Sequence, residues 1–117
     1  MSARSRSKGI RGELELAQFL RDRGIEARRG CQRRGGPYSP DVDADLEPFH
    51  VEVKRTERLA LYPALDQARR DGGPERIPIV FHRTNRREWV AILPADALVE
   101  LYRTARQAHA ESEGAEC

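Results

Sequence analysis

The chain has 117 residues, 38% hydrophobic and 34% charged, which bounds it to one domain around one core. It has no apolar run near the roughly 18–20 residues of a membrane span and no signal-peptide-like segment in "MSARSRSKGIRGE", so a soluble, cytoplasmic protein with no membrane partner is expected, and the spacing of Cys31 and Cys117 argues against a disulfide framework or zinc. The net charge of +2 hides a partition: residues 1–36 carry ten basic and four acidic side chains, 37–54 one and five, 55–94 eight and five, 95–117 two and five.

From Lys8 to Arg23, Ile10, Leu14, Leu16, Ala17, Phe19 and Leu20 recur at helical spacing. Ser7 fits the N-cap and Gly24 the stop, and residues 1–7 are expected to be a flexible basic N-terminus. "GIEARRG" reads as a short strand and "CQRRGGPYSP" as a loop. Val42, Ala44 and Leu46 alternate with Asp41, Asp43 and Asp45, and Phe49, Val51 and Val53 alternate with His50, Glu52 and Lys54. These are two period-two strands joined by a turn near Glu47-Pro48. "LYPALDQARRDGG" predicts a helix from Pro63 to the Gly72-Gly73 stop; "IPIVFHR" and "EWVAIL" predict a strand pair around the basic turn "RTNRR". "PADALVELYRTARQ" predicts a last helix opened by Pro94, and residues 108–117 a disordered polar tail. The order α-β-β-β-α-β-β-α, without repeats, predicts an α/β fold, a three-layer-type sandwich with a central mixed β-sheet, filling residues 8–107 as a single domain.

The acidic island raises the functional question. Basic flanks suit a polyanion such as nucleic acid, because each Lys or Arg that meets a phosphate releases a counterion. Carboxylates between them do not, unless a divalent cation lies between carboxylate and phosphate. Glu52 and Lys54 share one face of their strand, roughly 6.6 Å apart at the usual rise, while Val51 and Val53 face the core. If the neighbouring strand brings Asp41 beside Glu52, two carboxylates and an ammonium converge, an arrangement whose repulsion a shared Mg²⁺ would relieve. The chain has nineteen arginines and two lysines, so Lys54 stands where guanidinium was not used; a compact ammonium can approach a water and can lose its proton when desolvated. The plain alternative for each segment is a solvated charged surface.

Gly9 to Glu13 ("GIRGE") on the first helix, Pro40-Asp41 opening a strand, Glu52-Val53-Lys54 on the next, and Gln67 on the following helix together resemble the PD-(D/E)xK nuclease superfamily, in particular its archaeal and phage Holliday-junction resolvases, over residues 8 to 102. The resemblance implies a metal-dependent endonuclease in which Asp41, Glu52, the backbone carbonyl of Val53 and Glu13 hold Mg²⁺ (or Mn²⁺), Lys54 orients or activates the water, and Gln67 makes a polar contact. Asp43 and Asp45 depart from the pattern and either join the ligand set or face solvent. His50 reads as a surface histidine before it reads as a base. Gly9 and Gly12 thin the first helix in a way that would let a phosphate backbone approach. Lys8, Arg11, Arg33, Arg34, Arg55, Arg83, Arg86 and Arg87 are candidate DNA contacts, the loop arginines as phosphate grips. The implied substrate is DNA, four-way junctions first, cut by a homodimer. A linear-duplex endonuclease and a non-catalytic nucleic-acid-binding module are the alternatives.

Overall fold

The computed structural model describes residues 3–30 and 41–116, with side chains for 9–30 and 41–114. Arg33, Arg34, Cys31, Pro40 and the side chain of Lys8 lie outside the described residues. The elements in chain order are α1 (Ala3–Arg21), β1 (Ala27–Arg29), β2 (Val42–Ala44), β3 (Phe49–Arg55), α2 (Leu61–Gly72), β4 (Ile77–Arg83), β5 (Val90–Ile92) and α3 (Ala95–Glu116). The order is that read from the sequence, in a compact α/β fold.

Three helix boundaries differ from the expectation, α2 among them, which starts at Leu61 rather than Pro63. α1 starts at Ala3, so Ser7 lies inside the helix rather than at its N-cap and residues 3–7 are helical rather than a loose arm. α3 continues through Glu116 where a disordered tail is expected; the Ala, Glu and Gln of "RQAHAESEGAE" are good helix formers once Pro94 has nucleated the first turn through bonds from the Ala97 and Leu98 amides to its carbonyl. The expected stops hold. Gly24 takes φ 82° and closes α1 with its amide on the Arg21 carbonyl, and Gly73 takes φ 77° at the end of α2 with its amide on the Arg69 carbonyl. Pro63 sits in the first turn of α2, two residues after the start, where an amide donor is not required.

The expected single sheet is divided. β1 and β2 form an antiparallel pair, and β3-β4-β5 form a mixed sheet in which β3 and β4 run parallel across the α2 crossover and β4 and β5 run antiparallel. β2 is not a full hairpin partner of β3. After Ala44 the chain bonds to itself, with the Phe49 amide on the Leu46 carbonyl, around the cis Glu47-Pro48 bond. The two sheets meet at Asp41, whose amide donates to the Val51 carbonyl at 3.1 Å while its own carbonyl accepts from Gly30 at 2.8 Å.

Both faces of the mixed sheet are covered by helices. On the odd-numbered face Leu16, Ala17 and Leu20 of α1 pack with Val42, Val51 and Ile79. On the even-numbered face Ala64, Leu65 and Ala68 of α2 pack with Val80. Each large side chain so buried contributes roughly 1.5–3 kcal/mol. Two glycines set the approach: a Cβ at Gly12 would stand 2.5 Å from the Arg55 Cβ, and one at Gly72 would stand 2.6 Å from the His50 Cβ. Gly12 thus serves helix-on-strand packing, not the phosphate approach expected of it; Gly9 is exposed with open space around its Cα. α3 packs sparsely on the rest and leaves Leu98, Val99 and Tyr102 exposed.

Candidate active site

β3 presents His50, Glu52 and Lys54 to α2, because alternate residues of a strand share a face. The helix covers that face so closely that Glu52 is 1% exposed and His50 0%. The reading of His50 as a surface histidine is therefore corrected: Gly72, lacking a side chain, lets the end of α2 close over the imidazole. His50 Nε2 and Glu52 Oε1 are 2.8 Å apart. Burial first, offset by the Asp71 and Asp41 carboxylates, lowers the His50 pKa, which favours a neutral ring sharing one hydrogen bond with the Glu52 carboxyl.

Asp41 reaches β3 from beside the other sheet, not through the β2–β3 hairpin on which the sequence makes its approach conditional. Its Oδ2 accepts the Val53 amide at 2.9 Å, which fixes the carboxylate beside Glu52. Burial first, and then the neighbouring carboxyl groups of Asp41 and Asp71, push the Glu52 pKa up to about 9. Glu13 of α1 is also buried, and its pKa is raised by desolvation against the lowering hydrogen bond from Arg29, with the Asp41 charge adding to the rise. Glu13, Asp41, Glu52 and Asp71 therefore act on one another in a chain. Lys54 Nζ donates to Gln67 Oε1 at 2.9 Å, joining the strand to the middle of α2.

Among the described residues, no group of three or more His, Cys, Asp and Glu side chains is assembled to hold a metal ion as it stands. Glu13 is turned to Arg29, whose Nε bonds its carboxylate. The chemistry of the donors nevertheless suits a hard divalent cation. Glu52 is buried beside the Asp41 and Asp71 carboxyl groups, whose hydrogen bonds and charges raise its pKa, in a place where a negative charge is costly unless a cation shares it.

The other candidates divide. Asp43 and Asp45 are exposed, and Asp43 lies 3.5 Å from Arg28, so both face solvent. Arg55 and Arg83 are engaged by one carboxylate, Arg55 at 3.3 Å from Glu15 Oε2 and Arg83 at 2.8 Å from Glu15 Oε1; Arg55 also donates to Asn85 at 3.0 Å. They brace β3 and β4 against α1 rather than standing ready as free phosphate grips. Arg11, Arg86 and Arg87 are exposed, Arg86 at φ 63° in the turn.

Sequence reasoning missed Asp71, Arg29 and Glu15. Asp71 follows Gln67 by four residues and so shares its helix face, a signal available once Gln67 is placed; Arg29 and Glu15 had none, since their partners are 16 and 40 or more residues away. No protein-family model, curated protein or solved structure matches this chain.

Proposed function

We propose that the protein is a Mg²⁺-dependent endodeoxyribonuclease acting on branched DNA, a Holliday-junction resolvase of the PD-(D/E)xK type. The observation that carries this reading is the docking of the Asp41 carboxylate on the Val53 amide at 2.9 Å, which sets it beside the buried Glu52 with Lys54 two residues further along the same face. Binding alone gains nothing from buried carboxylates beside a phosphate, which disfavours a passive nucleic-acid module. The helices on both faces of β3-β4-β5 support reading the architecture as the three-layer sandwich of that superfamily.

Asp41, Glu52 and the Val53 carbonyl would hold the cation, with Glu13 completing the acidic set. When bound, the ion supplies Lewis-acid polarisation of the phosphate and a water of lowered pKa. Asp41 is held in place by the Val53 amide before substrate arrives, so little reorganisation is needed there. His50 orients Glu52 through the hydrogen bond between its Nε2 and the Glu52 carboxyl. Lys54, held by Gln67, presents an ammonium toward the reacting phosphate, where it orients a water and offsets developing negative charge. The exposed Arg11, Arg86 and Arg87 are available to phosphates outside the site. A junction with approximate twofold symmetry needs two matched cuts, so the working unit is a C2 homodimer, and its place of work is the cytoplasm of a bacterial or phage-infected cell.

The test is cleavage of a labelled four-way junction, a fork and a linear duplex side by side, with Mg²⁺, with Mn²⁺ and with neither. Metal-dependent cutting of the junction above the duplex is expected. Equal cutting of all three would make the protein a duplex endonuclease, and none with either metal would refute the enzyme.

A further inference from the structure

Beyond Lys54, β3 runs into the turn that opens α2, and between that turn and the first turns of the helix lies a cavity of about 340 Å³. Lys54 and Gln67 line it, so it shares a wall with the candidate active site. The rest of its lining is of two kinds. Arg58 and Arg70 supply positive charge, while Leu59 and Pro63 supply apolar surface.

These arginines differ from those elsewhere near the site. Arg29 is bound to Glu13, and Arg55 and Arg83 to Glu15. Arg58 and Arg70 are exposed and make no ion pair or hydrogen bond among the described residues, so their donors are free for a ligand. Thr56, also in the lining, has a buried hydroxyl without a partner. Uncommitted guanidinium groups suit a phosphate, and an apolar wall suits the face of a base without regard to its identity.

Size decides what kind of nucleotide fits. The volume is at the small end of ligand cavities, which run from roughly 300 to 1,000 Å³, enough for one nucleotide and not for a base pair. A nucleotide stacked within a duplex does not enter such a space. One released from its stack does, and release costs least where pairing is already interrupted.

We propose that this cavity is a single-nucleotide subsite that takes an unstacked nucleotide next to the scissile phosphate, with Arg58 and Arg70 on its phosphate and Leu59 and Pro63 against its base. The proposal rests on the nuclease reading and adds the basis for choosing branched over continuous DNA. The cavity admits what a branch point offers and an intact duplex withholds.

The test uses the full chain in EDTA, so that no strand is cut, with four-way junctions carrying 2-aminopurine at one position at a time through all bases around the exchange point, and a duplex of matching sequence. A several-fold fluorescence rise on binding is expected at a position flanking the point of strand exchange and not in the duplex. Leu59→Trp fills the cavity and should abolish the rise while junction binding, read by anisotropy, persists. Arg58→Ala/Arg70→Ala changes only exposed side chains, so it keeps the fold, and should shift the fluorescence titration by about tenfold, the scale of losing charge-assisted hydrogen bonds. No rise at any position in a bound junction overturns the subsite, as does a full rise in Leu59→Trp or an unshifted titration in the double variant. Cleavage with Mg²⁺ is scored separately, so an enzyme that cuts junctions without the rise loses the subsite alone, and a protein that gives the rise but never cuts loses the nuclease reading.

Discussion

The two faces of β3 have opposite compositions. Val51 and the half-buried Val53 on one face meet Leu16, Ala17 and Leu20 of α1 in apolar packing, whereas His50 and Glu52 on the other are almost wholly hidden from water yet polar, under α2. The first arrangement stabilises the fold. The second opposes it, because a buried carboxyl beside other carboxylates holds its proton far above the usual range. One strand thus carries stability on its odd residues and the proposed chemistry on its even ones, so the two can be perturbed separately.

The sharpest break in that comparison is on the polar side. Asp41→Asn keeps an oxygen to accept the Val53 amide and removes the charge, so junction cleavage should fall by about 10³-fold or more while the melting temperature and DNA binding hold. Cleavage by Asp41→Asn at the wild-type rate would remove Asp41 from the site. Lys54→Arg comes next. The chain uses arginine for nearly all its positive charge, so a mild loss would mean that only charge matters at this position. A loss approaching that of Lys54→Ala, in single-turnover cleavage at saturating protein, is expected, because the planar guanidinium does not reproduce the ammonium held by Gln67 at 2.9 Å.

The apolar side should respond in stability alone. Leu16 is fully buried, and Leu16→Ala should cost about 3 kcal/mol in denaturant unfolding. Glu52→Gln should do the reverse. The Glu52 pKa is raised from 4.5 to about 9 in the folded protein, so between these values the folded state keeps a proton that the unfolded state releases, and wild-type stability without divalent ions falls as pH rises through that window. The amide has no such proton. Its advantage should be absent near pH 4 and reach on the order of 2–3 kcal/mol by pH 7, measured by urea unfolding in EDTA; identical pH profiles for the two proteins would contradict the burial of a costly charge. The smallest effect belongs to the exposed turn: neutralising Arg86 and Arg87 together should flatten the salt dependence of junction binding by up to about two units of slope, and an unchanged slope would place that turn away from DNA.

The sequence by itself determined the order of elements, the strand that carries Glu52 and Lys54, and the glycine stops at Gly24 and Gly73, because these follow from local periodicity and backbone freedom. From sequence, the meeting of Asp41 with Glu52 is conditional on a β2–β3 pairing, and the structure makes it instead through the Asp41 bonds to Val51 and Val53. Only the tertiary structure decided the rest. Whether His50 lies at the surface depends on how closely α2 approaches, and Gly72 sets that distance from 22 residues away. Whether an arginine is left free for a ligand or braces the fold depends on where the carboxylates fall: Glu15 takes Arg55 and Arg83, Glu13 takes Arg29, and Arg58 and Arg70 are left over among the described residues. Identical side chains so acquire different roles because charge pairing is settled by distance in space, which local sequence does not encode.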